Sequence, residues 1–291
     1  MHINAQTRLV TLLGDPVAHS HSPLIHNTAF GAQDVNAVYV ATQVAPADLA
    51  AAVEGLRALR FRGANVTIPH KQAVHPLLGT CTARAEAVGA VNTIVCRDDG
   101  TLHGDNTDVP GFLAPLQSLP ERDWLRGTEM LIFGAGGAAR AVAYALLDAF
   151  RPTRLTLAAR TPAKAERLTT DLAPHDPRSA LRVVPMGAAS SAAQASALIV
   201  NATPVGMHPE PERTPWPHPT DFAPEQIVYD LVYNPTETRL LREAAARGAT
   251  TLGGLEMLIQ QAAAAYAQWT DQAMPVDTVR AALHNHVFTA G

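Results

Sequence analysis

Three histidines and two serines fall within eight positions of the stretch VAHSHSPLIHNTAF, residues 17–30. These five residues are His19, Ser20, His21, Ser22 and His26. Their types could bind a metal, or could pair a nucleophile with its base. A zinc site needs a fitting fourth ligand, and no nearby cysteine or carboxylate completes the set. A serine hydrolase needs a nucleophile elbow, which does not accompany these residues.

The same stretch favours an anion site instead. Ser20 and Ser22 lie two positions apart and can direct two hydroxyls at one carboxylate if the backbone between them turns. Ser22 followed by Pro23 also suits the N-cap and first turn of a helix. We expect His21, which lies between the two serines, to lend its backbone to the ligand. The other two histidines are expected to be packing or surface residues.

A glycine-rich turn in MLIFGAGGAARAVAYALL predicts a dinucleotide site. Gly134, Gly136 and Ala139 form a G-x-G-x-x-A pattern between an apolar strand and a helix. The first glycine makes the tight turn, the second lets the backbone approach a pyrophosphate, and the third small residue lets helix pack on sheet. The pyrophosphate would lie at the helix N-terminus, where free N–H groups favour anions.

The end of the next strand indicates which dinucleotide binds. An NAD site would place a carboxylate there for the ribose 2'-hydroxyl, but LTLAARTPAK has none. The planar guanidinium of Arg160 can stack and can donate two hydrogen bonds to a 2'-phosphate. Thr161 suits an N-cap, and Lys164 adds a cation in the first helical turn, where it would oppose the helix dipole unless an anion is bound. The pattern therefore favours NADP.

Further polar stretches follow the predicted strands of the amino-terminal part. They are SHS at 20–22, NVTIPHK at 65–71, GAVNT at 89–93 and GDNTD at 104–108. Such strand ends form the binding crevices of α/β proteins. Asn65, Thr67 and Asn92, together with the two serines, are neutral donors and acceptors suited to a small hydroxylated ligand with one carboxylate.

Alternating strand and helix patterns must position these groups, which predicts an α/β chain with largely parallel strands. The first set of strands is RLVTLL, AVYVA, GANVTI and AVNTIVC. A proline- and glycine-containing connection at about 108–127 leads to a second set, EMLIFG, TRLTLAA, LRVVP, SALIVNA and QIVYDLV. The proline-dense segment 208–219 is expected to be an irregular loop. Two helical stretches end the chain.

Composition excludes several function classes. The 291 residues are 47% hydrophobic and 16% charged with a net charge of −4, which does not suit a nucleic-acid binder. No apolar run approaches the length of a membrane span, and the start lacks a cationic leader. Cys81 and Cys96 do not form a C-x-x-C pair, so we expect small buried thiols in a reduced, cytoplasmic protein. We expect a small-molecule substrate and allow a homodimer.

Nine motifs, in order, resemble the shikimate dehydrogenase family. They run from residue 14 to about 263 and are GDPVAHSHSPLIHN, GANVTIPHK, GAVNT, GDNTD, GAGGAAR, ART, IVNATPVGM, YDLVYNPTET and GLEMLIQQAA. The resemblance implies reversible NADPH-dependent reduction of 3-dehydroshikimate to shikimate, in chorismate and aromatic amino-acid biosynthesis. It also implies a discontinuous α/β substrate domain at 1–108 and 254–291, and a doubly wound Rossmann-type NADP domain at 109–253.

The resemblance also implies roles by position. Ser20 and Ser22 would hold the substrate carboxylate, with His21 and Asn65 in the same shell. The ring contacts would be Thr67, Asn92, Asp108, Tyr233 and Gln261. The NADP site would comprise Gly134, Ala135, Gly136, Gly137, Ala138, Arg160, Thr161, Lys164, Leu231 and Gly254, with Thr203 near the nicotinamide end. Lys71 would be catalytic, with Asp108 beside it.

Lys71 is the one strand-end residue of the substrate motifs that can donate a proton and, if its pKa falls, also accept one. Our hypothesis is that Lys71 transfers the proton of the reacting hydroxyl, while Asp108 orients that hydroxyl and the lysine. The chain departs from the family pattern at His70, Val109 and Ala159, none of which removes a catalytic group.

Three alternatives stay open at this point. A quinate or aminoshikimate dehydrogenase would act on a substrate that differs at one ring position, although Arg160 argues mildly against an NAD-linked quinate enzyme. An inert NADP-binding sensor would lack turnover. A metal-dependent enzyme would use the histidines of residues 17–30.

Overall fold

The computed structural model describes residues 3–120 and 122–289. The chain forms two compact units, Met1–Thr107 with Ile259–Gly291 (unit 1) and Asp108–Leu258 (unit 2). The expected α/β class, with a discontinuous first part, is confirmed. The domain boundaries proposed from sequence, 108/109 and 253/254, stay a prediction. Residues 1, 2, 121, 290 and 291 of those predicted domains lie outside the described residues.

The helices and strands follow the alternation of the sequence patterns. Up to residue 107 they are β1 (Arg8–Gly14), α1 (Ser22–Ala32), β2 (Ala37–Gln43), α2 (Leu49–Ala58), β3 (Gly63–Val66), β4 (Thr80–Cys81), α3 (Ala83–Val88), β5 (Thr93–Cys96) and β6 (Leu102–Asp105). From residue 108 they are α4 (Asp108–Gln117), β7 (Glu129–Phe133), α5 (Gly137–Phe150), β8 (Arg154–Ala159), α6 (Pro162–Leu172), β9 (Leu181–Pro185), α7 (Ser190–Ala195), β10 (Leu198–Asn201), β11 (Ile227–Asp230), α8 (Arg239–Ala245), β12 (Thr250–Leu252), α9 (Gly254–Thr270) and α10 (Val276–Thr289).

The sheet of unit 1 has the strand order β2-β1-β3-β5-β6-β4. β1 pairs parallel with β2 and β3, whereas β5 runs antiparallel to both of its neighbours. The sequence predicted largely parallel strands, and β5 is the exception. Because β5 is reversed, its amino end lies at the same edge of the sheet as the carboxyl ends of β1, β3 and β6.

The core of unit 1 is closed by the end of α9. Trp269 is buried, and its indole Nε1 donates to the carbonyl oxygen of Ile94 in β5 at 3.0 Å. The indole passes Gly63 of β3, where a Cβ would lie 2.2 Å from the indole nitrogen. α10 packs on α1, so both carboxyl-terminal helices contribute to unit 1.

The sheet of unit 2 is parallel throughout, with the order β12-β11-β10-β7-β8-β9. β7, β10 and β11 are almost wholly buried, as expected of strands covered by helices on both faces. The order reverses between β7 and β10, which is where doubly wound folds bind ligands. Leu131, Ile199 and Val228 lie in the core of this unit.

None of the helices in the described ranges is long and apolar enough to cross a bilayer.

A substitution at Gly63 tests the packing of Trp269. Gly63→Ala should lower the free energy of unfolding by about 1–3 kcal/mol, because the new methyl group would overlap the indole and the Ile94 carbonyl. Gly55→Ala in α2, where a Cβ would meet nothing within 4 Å, should raise it by about 0.5–1 kcal/mol. Urea unfolding monitored by tryptophan fluorescence measures both variants. Equal stability of the two variants would contradict this account.

Candidate functional site

The carboxyl edge of the unit 1 sheet gathers most of the predicted substrate residues. Asn65 lies in β3, Thr67 and Lys71 follow it, Asn92 directly precedes β5, and the two serines follow β1. The reversed direction of β5 is what brings Asn92 to this edge. The arrangement places amide, hydroxyl and ammonium groups from distant parts of the sequence along one edge.

The side chain of Asn65 joins three strands at this edge. Its Oδ1 accepts from the hydroxyl of Tyr39 in β2 at 2.9 Å. Its Nδ2 donates to the carbonyl oxygen of Asn92 at 3.1 Å and to the hydroxyl of Thr93 at 3.2 Å. Asn65 is 5% exposed, so its amide is mostly committed within the protein. Asn65 therefore fixes the positions of the strands at this edge by hydrogen bonds within the protein.

Asn92 fixes the segment that follows β6. Its Oδ1 accepts from the backbone N–H of Thr107 at 2.7 Å and from the hydroxyls of Thr107 and Thr93, each at 3.1 Å. All three residues are buried. The contacts lock the GDNTD segment onto the start of β5.

The serines of the opening stretch adopt a turn, as the anion-site hypothesis requires. The oxygen of Ser20 accepts from the backbone N–H of Ser22 at 3.2 Å, which leaves its hydroxyl hydrogen able to donate elsewhere. The expectation that Ser22 is the N-cap is wrong, because His21 occupies that position and Ser22 is the first residue of α1. Ser20 instead provides an acceptor for an amide of the first turn.

His26 is a packing residue of unit 1. Its ring is fully buried and stacks on Tyr39 with centroids 4.5 Å apart, and the ring of Trp269 lies 5.1 Å away. Burial lowers the pKa of His26 to about 3, although the neighbouring Asn65 side chain acts to raise it. Burial also raises the pKa of Tyr39, against a hydrogen bond with Ser22. The imidazole is therefore neutral and structural.

Lys71 is half-buried after β3, and its backbone carbonyl accepts from the N–H of Val91 at 2.7 Å. The preceding His70 is buried, with its Nε2 2.7 Å from the carbonyl oxygen of Val44. These contacts tie the lysine segment to the segments before β5 and after β2.

Asp105 at the end of β6 is a group that sequence reasoning missed. It accepts from the hydroxyl of Thr82 at 2.6 Å and from Gln268 Nε2 at 2.7 Å, and it pairs with Arg84. Burial acts to raise its pKa, but the hydrogen bonds and charge of Arg84 and the bond from Thr82 hold the pKa below its usual value. The available signal was a carboxylate within the polar GDNTD stretch at the end of a predicted strand.

The remaining predicted substrate residues divide between the two units. Gln261 lies in the part of α9 that belongs to unit 1 and is half-buried. Asp108 is the buried first residue of α4, and Tyr233, partly buried after β11, has its pKa raised by burial; both belong to unit 2.

The glycine turn of unit 2 has the geometry that a dinucleotide requires. Gly134 directly follows β7 with φ of +119°, which favours glycine. A Cβ there would also lie 3.0 Å from the carbonyl oxygen of Ala202. Gly136 is the N-cap of α5 without a side-chain cap, and a Cβ on it would meet no atom within 4 Å. The start of this 14-residue helix therefore has no side-chain cap and has open space beside Gly136.

Arg160 and Thr161 connect β8 to α6, and Lys164 lies in the first turn of that helix. All three side chains are exposed, and neither cation forms an ion pair within residues 3–120 and 122–289. Thr161 is the N-cap, as expected, but its hydroxyl makes no capping bond. Two uncompensated cations beside an uncapped helix start fit a 2'-phosphate, so these residues are consistent with NADP.

Asn201 and Asp230 are buried at the ends of β10 and β11, and the sequence predicted no role for either of them. Asn201 Nδ2 donates to Asp230 Oδ1 at 2.8 Å, and its Oδ1 accepts from the N–H and the hydroxyl of Thr203 at 3.0 and 2.7 Å. Burial raises the pKa of Asp230 to about 6, against hydrogen bonds from Thr238, Val232 and Asn201. This pair fixes Thr203 near the glycine turn, since a Cβ on Gly134 would lie 3.1 Å from Thr203 Cγ2.

Close packing explains why residue 254 is a glycine. A Cβ there would lie 2.2 Å from the carbonyl oxygen of Leu231, and the Gly254 N–H donates to the carbonyl oxygen of Val232 at 3.2 Å. The start of α9 thus lies directly on the segment that follows β11. Its predicted place in the NADP site stays a prediction.

Comparison with known proteins places these features in a family. Residues 12–94 match the shikimate dehydrogenase substrate-binding domain, and residues 254–284 match the shikimate 5'-dehydrogenase C-terminal domain. A shikimate dehydrogenase (NADP(+)) of Salinibacter ruber is 63% identical over 97% of this chain and 99% of that protein. The chain belongs to the shikimate dehydrogenase family.

Solved structures agree with this family assignment. A crystal structure of a shikimate dehydrogenase in complex with NADP+ superposes with a TM-score of 0.91, at 37% identity over 98% of both chains. A quinate dehydrogenase from Corynebacterium glutamicum in complex with NAD has a TM-score of 0.87 at 32% identity, over 96% of this chain and 99% of that one. This fold is therefore shared by proteins named for different substrates and solved with different cofactors.

The depressed pKa of His26 predicts an acid sensitivity with a defined sign. At pH above about 6.5 the imidazole is neutral in both folded and unfolded protein. Below that, the unfolded chain binds a proton that the folded protein resists until about pH 3. The free energy of unfolding should therefore fall by up to about 1.4 kcal/mol per pH unit from this group as the pH drops from 6.5 toward 4.

The variant His26→Phe retains a flat ring but cannot bind the proton. Its free energy of unfolding, measured in urea between pH 7.5 and 4.5, should fall less steeply with decreasing pH than that of the wild type. The comparison concerns slopes, so an overall loss of stability from the larger ring does not affect it. Parallel curves for the two proteins would contradict the assignment.

Proposed function

We propose that this protein is an NADP-dependent shikimate dehydrogenase that reversibly reduces 3-dehydroshikimate to shikimate. The observation that carries the proposal is the 63% identity to a shikimate dehydrogenase (NADP(+)) over nearly the full length of both chains. The polar edge of unit 1 and the glycine turn of unit 2 support it, because they supply the two kinds of site that the reaction needs. A direct assay is NADPH formation, followed by absorbance, on addition of shikimate and NADP+.

The substrate is proposed to bind at the carboxyl edge of the unit 1 sheet. Ser20 and Ser22 lie on a turn at the start of α1 and would donate hydroxyls to the substrate carboxylate. Thr67 and Asn92 would bind ring hydroxyls from the ends of β3 and β5. Asn65 acts mainly by positioning, since its amide already bonds Tyr39, Asn92 and Thr93.

Lys71 is proposed to move the proton of the reacting hydroxyl, and Asp108 to orient that hydroxyl. The chain offers an argument from residue usage: among its 22 lysine and arginine residues only two are lysines, Lys71 and Lys164. Each of them lies in one of the two proposed sites. An arginine cannot release its proton at neutral pH, so the lysine at position 71 is suited to acid–base chemistry.

NADP, when bound, supplies the hydride acceptor or donor of the reaction. Gly134, Gly136 and the amides at the start of α5 would hold its pyrophosphate, since no side chain caps this helix start and the space beside Gly136 is open. Arg160 and Lys164 would bind the 2'-phosphate, which NAD lacks. Thr203, held by Asn201, would lie near the nicotinamide end.

A second candidate is a quinate dehydrogenase, because a solved quinate dehydrogenase shares this fold at 32% identity. Arg160, which forms no ion pair with the described residues, favours NADP and so the shikimate enzyme. Ratios of kcat/KM for shikimate and quinate, each measured with NADP+ and NAD+, distinguish the two.

We also infer a reduced, cytoplasmic setting, because both cysteines are free thiols. A homodimer stays a prediction that light scattering of the purified protein tests.

Replacing Lys71 tests the proton-transfer role. Lys71→Ala should lower kcat at least about 100-fold with a smaller effect on KM, because general acid–base catalysis typically contributes that much. Lys71→Arg provides a cation that cannot release its proton at neutral pH, and should not restore kcat. Activity restored by arginine would show that charge alone matters.

The two lysines also allow a test without substitution. Reductive methylation followed by peptide mass spectrometry reports each lysine separately. Shikimate should protect Lys71 and NADP+ should protect Lys164. If each ligand leaves both modification rates unchanged, the proposed placement of the ligands is wrong.

Replacing Arg160 tests the cofactor preference. Arg160→Ala should raise the KM for NADP+ by about 10- to 100-fold, the effect of losing a hydrogen bond to a charged group, and change the KM for NAD+ much less. Arg167, an exposed arginine in the second turn of α6, is the matched control, and Arg167→Ala should leave both values near those of the wild type. Equal losses for both cofactors would contradict a contact with the 2'-phosphate.

A further inference from the structure

Three metal-binding side chains meet in unit 1 outside the residues assigned above. His75 begins a short 3₁₀ turn, Cys81 lies in β4 and Glu86 lies in α3. One ligand atom from each of them, an imidazole nitrogen, the thiol sulfur and a carboxylate oxygen, lies within 4.8 Å of the other two. The sequence predicts that Cys81 is a small buried thiol, and it predicts no role for His75 or Glu86.

His75 presents a buried nitrogen to this cluster. Its Nε2 is 3.2 Å from Glu86 Oε2, yet it makes no hydrogen bond of acceptable geometry to any part of the chain that the structure describes. The side chain is 26% exposed, whereas that of Glu86 is 57% exposed. The nitrogen thus faces the carboxylate from the inner side, and the cluster opens to solvent on the side of Glu86.

Cys81 brings a half-buried thiol to the same point. Burial raises its pKa, the negative charges of Glu86 and Asp105 act in the same direction, and a hydrogen bond from the Gly104 backbone acts against them. The absence of a side chain at Gly104 gives the sulfur its room, since a Cβ there would lie 2.9 Å from Sγ. A cation beside the sulfur would reverse this balance and favour the thiolate.

We propose that His75, Cys81 and Glu86 bind one divalent cation of the zinc class, with water as the fourth ligand. The donor set decides the class of metal. Nitrogen, sulfur and a single carboxylate suit Zn²⁺, whereas Mg²⁺ and Ca²⁺ take oxygen ligands. Zinc bonds of about 2.0–2.3 Å place tetrahedral ligands about 3.5 Å apart. The observed cluster reaches that spacing with small side-chain movements.

The cation would link the short edge strand β4 to the elements on either side of it in the chain. β4 has two residues and pairs with β6 at the sheet's edge, and α3 has six residues. The segment between them carries Thr82, whose hydroxyl caps α3 and donates to Asp105. A cation joining the 3₁₀ turn, β4 and α3 should therefore stabilise the folded protein by preferential binding to it.

Zinc titration of tag-free, metal-stripped protein tests the proposal. Calorimetry should show about one Zn²⁺ per chain, with a heat that depends on the buffer because the thiol releases a proton. Co²⁺ in place of Zn²⁺ should show a thiolate charge-transfer band and the visible bands of tetrahedral coordination. Zn²⁺ should also raise the Tm. These readouts need neither substrate nor NADP, so they are independent of the dehydrogenase proposal.

Variants identify the ligands. Cys81→Ser, His75→Gln and Glu86→Gln should each weaken Zn²⁺ binding at least about tenfold. Glu86 is exposed, so its variant should fold even if the others do not. Cys96→Ala removes the other thiol and His208→Asn removes an exposed histidine of unit 2, and both should bind Zn²⁺ like the wild type. No Zn²⁺ uptake, unchanged binding by Glu86→Gln, or a Co²⁺ complex without the thiolate band would overturn the proposal.

Discussion

The amide of Asn65 is the contact on which the carboxyl edge of the first sheet depends. It accepts from Tyr39 of β2 and donates to the residues that begin β5, so one side chain connects three strands at the edge proposed to bind substrate. An amide is suited to this position because it offers an acceptor and two donors in one plane. Loss of the amide would leave the buried Tyr39 hydroxyl without its acceptor, which costs more than a typical hydrogen bond contributes.

The reversed direction of β5 is what allows Asn65 to contact the residues around Asn92. A strand parallel to β3 would place its carboxyl end, not its amino end, at the edge in question. With β5 reversed, Asn92 lies beside Asn65 and holds Thr107 by its backbone. The segments around residues 65, 92 and 107 are thereby fixed relative to one another, so buried hydrogen bonds shape the edge that is proposed to bind the substrate.

Unit 2 also places polar groups at the carboxyl edge of its sheet, but it does so without a reversed strand. Its strands are all parallel, so every carboxyl end meets one edge, and the backbone amides at the start of α5 are the proposed anion site. Buried Asn201 and Asp230 play there the part that Asn65 plays in the first unit, because they fix the loops after β10 and β11. Charge is kept at the surface, in Arg160 and Lys164, where a 2'-phosphate can displace water at modest cost.

The sequence by itself determined the elements and the chemical types at their ends. Apolar strands followed by GAGGAAR, ART or NVTIPHK identify the fold class, the glycine turn and the cations, because these signals are local. Other features depended on contacts between distant residues: the reversed β5, the indole of Trp269 beside Gly63, and the bonds that make Asn65 a positioning residue. The N-cap of α1 and the cluster of His75, Cys81 and Glu86 also required the tertiary structure. The position of an N-cap changes when a helix starts one residue earlier or later, which is finer than a sequence pattern can specify. The three residues of the cluster lie on a 3₁₀ turn, a strand and a helix, and their proximity in space produces no periodic pattern in the sequence.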